Sequence, residues 1–593
     1  MMNKKLQGAG YKLLVIGCWP LVSCCRLPVS SHLFIIFFIF ISSAIFGQAE
    51  NKGEGEIEKI EIEIVKNREV TLPLAVRNFE KVPPRPAEPI KPEITYQFEN
   101  LSFQISDYSP ILRPLKLKAE PISKIYGNYV SAGFGNYSSP YAEAYLTNKR
   151  DKNRSYGVKF YHRSFMNGPI DGSNSASGNT QLRLFGKTMN NNVALGGFAN
   201  FENTTAYFYG YKPGTAVDRS MIRQNYNVIS VGGELENVKP AAFRYNLKAG
   251  YSYLSDHYSA SESETNLNFS SHYKIANEKW IIVNSDFFLI DRQDALVPAK
   301  ARQIFKIKPA YQFAPADKLV LTAGVNVVME NDTIGKQNGL HVYPNVAATY
   351  QLSPAVEGYA GLTGDVDKVS LHALSRENVW VNSNINIFNT NRALEFLAGV
   401  KGKVSGKVSF GTGLSFASLK NLYYYQADTG KNRSKFNLFY DNGSTQRTNL
   451  FAELGYSNEV FKFMLRGDYF AYSSTIANQI ATRYSLGGNN FGSGALQLPA
   501  YRVAINSSYN VYDKILLSVD FIVQGGIKAL NLEGKNLTTL NPALDLNFKA
   551  NYLVSKQFSV FLNLNNILSS NYQLYLNYPV RGFQAMGGAS WSF

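Results

Sequence analysis

Side chains able to do chemistry are few and scattered. Of six histidines, five lie beyond residue 47: His162, His257, His272, His341 and His372. None stands in an H-E-x-x-H or similar ligand spacing, and no G-x-S-x-G turn presents a serine nucleophile. Asp256 and His257 are neighbours, which on a strand sends their side chains to opposite faces. DGSNSASGN, Asp171 to Asn179, alternates oxygen donors as a calcium loop does but lacks the closing bidentate glutamate. The expectation is a non-enzyme with no cofactor and no metal. Two aromatic stretches, AYFYGYKPG (Ala206 to Gly214) and Tyr423 to Tyr425, could stack on a sugar or flat ligand. Packing in a loop or an interfacial girdle is their plainer reading.

The elements that would carry these residues alternate in twos. Phe243, Tyr245, Leu247, Ala249, Tyr251 and Tyr253 interleave with Arg244, Asn246, Lys248, Gly250 and Ser252. Phe461, Phe463, Leu465, Gly467 and Tyr469 interleave with Lys462, Arg466 and Asp468, and Leu544 to Tyr552 repeats the pattern. Period two is the mark of strands. The second face is too charged for a sandwich core, but it suits a membrane barrel with an apolar wall toward lipid and a polar one toward the lumen. Arg244, Lys248, Lys462 and Arg466 are then lumen-facing candidates that favour anions, diluted by Asp468 and Asp545. Short polar turns centre near Asp151, Asn191, Lys239, Glu278, Ala316, Pro354, Ser405, Asn458, Asp513 and Lys556. Each interval holds two strands and one long loop, which makes an all-β, transmembrane antiparallel β-barrel of about 22 strands. That is the size class whose lumen is wide enough to need a plug.

Composition agrees. Charged residues are 18 % and aromatics 13 %, with 38 Tyr and 38 Phe, and mean hydropathy is −0.18. All three cysteines, Cys18, Cys24 and Cys25, precede an apolar run from Leu33 to Phe46. That run is too short to favour a spanning helix and suits a secretory leader, so residues 1–47 are expected as a signal peptide cleaved after Gly47. The alternative is lipoprotein-type processing at Leu21-Val22-Ser23-Cys24. The mature chain would carry no cysteine and a net charge of +12, without any motif for nucleic-acid binding. Residues 48–122 hold nine prolines, from Pro73 to Pro121, and read as a short periplasmic or lumenal arm. Within it Ile57, Ile60, Ile62 and Ile64 could form one strand, either added to a periplasmic partner protein or packed in the lumen as a reduced plug. The barrel is assigned to residues 123–593.

The closing residues carry a resemblance. Gly588, Trp591 and Phe593, spaced G-x-x-W-x-F, are similar to the C-terminal signal that outer-membrane barrels present to their assembly machinery. Asn565-Asn566-Ile567-Leu568, Asn571-Tyr572, Tyr578-Pro579 and Arg581-Gly582-Phe583 resemble the last hairpin of TonB-dependent receptors. Residues 124–146, KIYGNYVSAGFGNYSSPYAEAYL, resemble that family's first barrel strands. The resemblance implies the cell outer membrane as location, and lipid and the barrel-assembly machinery as partners. Only 48–122 is available for a plug, shorter than the family's plug domain. Two readings follow: a receptor or transport component for an unknown small-molecule solute, or a non-transporting scaffold that anchors periplasmic or surface partners.

Overall fold

The structure is a computed structural model and describes residues 126–593, apart from positions 150, 213, 240, 298, 333–338, 429–433 and 487–490. The leader and the arm with Ile57, Ile60, Ile62 and Ile64 lie outside the described residues.

Among the described residues, twenty-two strands form one antiparallel sheet. Each pairs with the next along the chain, and the last, Gln584–Ser592, returns to the first, Tyr129–Gly135, with Tyr129 opposite Ser592 and Gly135 opposite Met586. The sheet has no edge. Hydrocarbon offers no partner to the amides of an open edge, so closure is what lets a sheet cross a bilayer.

All ten anticipated short turns lie at one end. Several are made by a side chain that satisfies the turn's own amides: Asn190 accepts from the N–H groups of Asn192 and Val193, Asn458 from Val460 and Phe461, and Asp151 from Asn153 and Arg154. Such Asx turns reverse the chain in the fewest residues. The barrel's own ends meet there too, where Asn128 and Phe593 exchange backbone hydrogen bonds of 3.3 and 3.0 Å. At the opposite end the connections are long: 208–222, 368–389, 421–443, 474–500, 526–542 and 566–583. The longest strand, Lys300–Ala316, has 17 residues, whereas about 9–11 cross the hydrocarbon. The wall therefore rises past the bilayer, and the long loops sit on an elevated mouth.

Alternation sorts the side chains as expected. Phe243, Leu247, Tyr251 and Tyr253 are exposed on the outside, as are Leu182, Leu184, Ile229, Val231, Phe396, Leu414, Phe416 and Leu450. In water this much contiguous apolar surface would aggregate; in lipid it is the solvent-facing side.

The seam is built on a glycine pair. Gly133 faces Gly588 across it, and Phe561, on the strand beyond, faces Gly588 in turn. A Cβ on Gly588 would come within 2.3 Å of both the Ala132 carbonyl oxygen and the Phe561 ring. That ring packs edge-on against Tyr141, with centroids 5.8 Å apart, and so bridges the two ends of the chain. Overpacking a fitted site costs about 1–3 kcal/mol. Gly588→Val should therefore lower the folded fraction of the barrel, read as loss of the fast-migrating unheated band on a gel, whereas Gly406→Val, where a Cβ meets nothing within 4 Å, should leave it intact.

Candidate functional site

The mouth is filled by the long loops. The connection 368–389 opens with the short helix α1, Leu371–Glu377, whose first turn is capped twice. Ser370 accepts from the Ala373 amide, and the Glu262 carboxylate on the wall accepts from the amides of Leu371 and His372 at 2.8 and 2.9 Å. Helix starts leave such amides unpaired, and an acceptor there stabilises the turn. The residues after α1 are stitched on by backbone: Phe436 donates to the Trp380 carbonyl, and Asn382 to that of Phe436.

Wall arginines hold the same loop, and wall lysines brace the end of the strand Val356–Asp367 that leads into it. Arg302 donates to the Val369 carbonyl at 2.8 Å and to Asn389 at 2.7 Å, and pairs with Asp332, which also accepts from Asn389. Lys306 reaches the Val366 carbonyl at 2.6 Å and Asp365 at 2.8 Å, while Lys308 takes the other oxygen of Asp365. Arg292 donates to the Ile385 carbonyl and pairs with Asp294 at 2.7 Å. Lys368 pairs with Glu264. Arg292 and Arg302 are each only about 5 % exposed. Ion pairs at that depth depend on their hydrogen bonds: Arg302 spends its donors on Asp332, Val369 and Asn389, while Arg292 bonds Asp294 and the Ile385 carbonyl and keeps its Nε enclosed without a partner.

Above this ring lie aromatic and aliphatic clusters. Trp380 stands 4.1 Å from Tyr578 and 5.6 Å from Tyr209, centroid to centroid, and its indole N–H donates to the Tyr207 carbonyl at 3.1 Å. Leu371, Leu374, Val381, Ile385, Tyr425 and Phe436 complete that core. A second core joins the helix α2, Ile476–Arg483, through Ile476, Ala477, Ile480 and Ala481 to Tyr424, Leu496 and Leu530. Asp441 ties the adjoining loops: it accepts from Ser474 Oγ at 2.7 Å, Gln479 Nε2 at 2.8 Å and the Gly443 and Thr475 amides.

Below α1 a polar chamber of about 590 Å³ opens along the wall. Arg183, Lys187, Glu234, Lys248, His372 and Arg376 are among its lining, and a 210 Å³ recess beside it shares Glu202, His372 and Arg376. Burial, with the Arg376 charge adding to it, pushes the His372 imidazole below its ordinary value, and its Nε2 is enclosed without a partner.

The sequence candidates fall as follows. Lys248 lines the chamber and pairs with Glu234 at 3.5 Å; Arg244, on the same strand face, lies over the Trp280 ring at 5.2 Å. Arg466 pairs with Asp468 and with Glu453 at 3.0 Å, and Lys462 shares its strand, opposite Ser457 and Ser508. The two sets lie far apart around the ring and do not form one site. Gly588, Trp591 and Phe593 are at the seam. Asp256 and His257 are not on a strand but in the turn after it, where Asp256 accepts from the Tyr258 and Ala260 amides. The rings of Phe208, Tyr424 and Tyr425 are buried in the loop cores, so they are cap packing and not a stacking platform. Gly172–Ser175 of the DGSNSASGN stretch is a single 3-10 turn, and among the described residues no cluster of three or more His, Cys, Asp or Glu is placed to hold a metal. Sequence reasoning passed over Glu262, Arg292, Arg302 and Lys306. Their alternation marked them as inward, but their partners lie up to 110 residues away.

A closed 22-strand barrel with an apolar exterior, short turns at one end and long loops at the other defines an outer-membrane β-barrel, the class to which TonB-dependent receptors belong. No family model and no curated protein matches the chain. Solved structures do share its fold. The FrpB iron transporter from Neisseria meningitidis superposes with a TM-score of 0.60 at 10 % identity, over 80 % of this chain and 82 % of that one. The siderophore receptor PirA from Acinetobacter baumannii gives 0.59 at 10 % identity, over 79 % and 80 %. The pyoverdine outer membrane receptor FpvA from Pseudomonas aeruginosa PAO1 gives 0.58 at 11 % identity, over 79 % of each. The chain therefore has the TonB-dependent receptor barrel.

Two measurements test the cap. Removing the Glu262 acceptor costs about 1.5–3 kcal/mol for each amide bond to charge, so Glu262→Ala should accelerate hydrogen exchange across 368–389 by tenfold or more and leave the barrel strands protected. Asp441 is held below the ordinary carboxylate range: burial raises it, but the four donors outweigh that. Its contribution is full above the unfolded carboxylate value and lost as pH falls through the folded one. Acidification should thus loosen α2 selectively, and Asp441→Asn should flatten that pH dependence.

Proposed function

We propose that this chain is an outer-membrane receptor or transport component that takes a solute from the long-loop side, with the connection 368–389 as the gate. One observation carries the reading. The loop is held in the mouth by hydrogen bonds to Glu262, Arg292 and Arg302 and by the Lys368–Glu264 ion pair, directly above a polar chamber. Charged bonds of this kind contribute about 1.5–3 kcal/mol each, and a polar solute that offers replacement partners releases them. The likeness to an iron transporter and to siderophore receptors supports the class, and the solute is set by this chain's own side chains. In the same reading Gly588, Trp591 and Phe593 are proposed as the signal taken by the assembly machinery.

Conductance in a planar bilayer tests it. Full-length protein should be silent, or open only in brief steps. A variant with 368–389 replaced by a short Gly-Ser turn should conduct steadily, and the double variant Arg292→Ala/Arg302→Ala should lie between them. If all three are equally silent, the lumen is blocked elsewhere and the scaffold reading replaces this one.

A further inference from the structure

Two arginines at the mouth lack an acidic partner. Arg163 is the last-but-two residue of the strand Arg154–Phe165, at its long-loop end, and Arg581 lies in the connection 566–583 before the closing strand. Both guanidinium groups rest on one ring, Phe165, at 4.8 and 3.9 Å from its centroid. Arg581 donates to Ser177 Oγ. Among the described residues neither arginine has a carboxylate within ion-pair distance, and the Nε of each is enclosed without a partner. The groups near enough to act on the Arg581 charge are Arg163, Tyr209 and Tyr137, and burial together with the Arg163 charge pushes Arg581 below its ordinary value.

This is an expensive arrangement. Two like charges held against one half-buried ring repel, and each has lost part of its hydration. Ten N–H donors are present in two rigid forks, and one hydrogen bond uses them. Other arginines near the mouth are compensated in other ways. Arg292, Arg302, Arg392 and Arg447 each have a carboxylate, although the Nε of Arg292, Arg392 and Arg447 is likewise enclosed. Arg219 donates to the Ser173 carbonyl, and Arg483 lies alone over Phe439; among the described residues only Arg163 and Arg581 share one ring. Stacking on Phe165 fixes the planes of the two forks but neutralises nothing, since a cation–π contact contributes about 0.5–2 kcal/mol. The missing component is negative, compact and rich in acceptors.

We propose that Arg163 and Arg581 form an oxyanion-binding site, which takes a carboxylate or phosphate group of a solute at the entrance of the barrel. Planar guanidinium forks match both groups bidentately, which an ammonium could not. Asn179 stands opposite Arg163 in the sheet register and lines the 210 Å³ recess that also holds His372 and Arg376. The arginine pair is thus one register position from the recess. Ser177, opposite Phe165, supplies a neutral hydroxyl beside the two forks. The inference rests on the transport reading for its direction of approach only, because binding is measured without transport.

The test is titration calorimetry on the full-length protein in detergent, in a low-salt zwitterionic buffer, with inorganic phosphate as one probe and citrate as the other. Saturable binding of at least one probe is expected, and the stronger of the two names the group. Arg163→Gln and Arg581→Gln should each weaken it tenfold or more, and the pair should abolish it. Lys159→Gln changes a lysine on the same strand face that already has Glu143 at 4.0 Å, and should leave binding unchanged. A thermal readout separates a ligand site from a structural one. Phosphate or citrate should raise the melting temperature of the wild type but not of Arg163→Gln, and without anion Arg163→Gln should melt no lower than wild type, because a repulsion has been removed. The proposal is overturned if neither probe saturates, if the double variant binds as well as wild type, or if Arg163→Gln melts lower in anion-free buffer. Binding with a silent barrel under every conductance condition would keep the site and remove transport.

Discussion

The pairing of Tyr129–Gly135 with Gln584–Ser592 is the constraint under which everything else is possible. In water an open sheet loses little, because solvent satisfies its edge. In hydrocarbon each unpaired amide costs several kcal/mol. A ring of backbone hydrogen bonds removes every edge at once, and its last link joins residues more than 440 positions apart in sequence. Gly133 and Gly588 let that link close tightly, and the Phe561 ring restores over them the surface that two absent side chains would have supplied.

Closure creates a second problem, which the loops address. Twenty-two strands enclose a lumen wider than inward side chains can fill. At the mouth the long connections fold over one another and build cores of their own around Trp380, Tyr578 and α2. These are small soluble-type cores placed outside the bilayer. Beneath them the contact between loop and wall changes character, from apolar packing to charges bonded to carbonyls. The cap is thus apolar within itself and bound to the wall by polar contacts. Two arginine environments stand out at the mouth: Arg292 and Arg302 each join a carboxylate to a loop carbonyl, whereas Arg163 and Arg581 share the Phe165 ring and only Arg581 has a hydrogen-bond partner, Ser177.

The wall was legible before any coordinates. Alternation of Phe243, Leu247 and Tyr251 against Arg244 and Lys248 assigns both faces, because side-chain direction in a strand depends only on parity. The ten turns were legible for a local reason too: Asn190, Asn458 and Asp151 bond to amides two and three residues ahead. Asp256-His257 misled, since adjacency implies opposite faces only inside a strand, and the strand ends at Ser255. For aromatic runs such as Tyr423 to Tyr425 the plainer reading, packing within a loop, holds, but the partners of that packing come from other loops.

Sequence alone therefore determined the closed barrel, its approximate strand number, its lipid and lumen faces and its closing strand, all of which rest on periods and turns spanning a few residues. Tertiary structure alone decided the cap, the hold of Glu262, Arg292 and Arg302 on 368–389, and the meeting of Arg163 with Arg581. Charge and parity show which way a side chain points, but which partner it meets across a lumen depends on how twenty-two strands curve into a ring, and no local pattern encodes that distance.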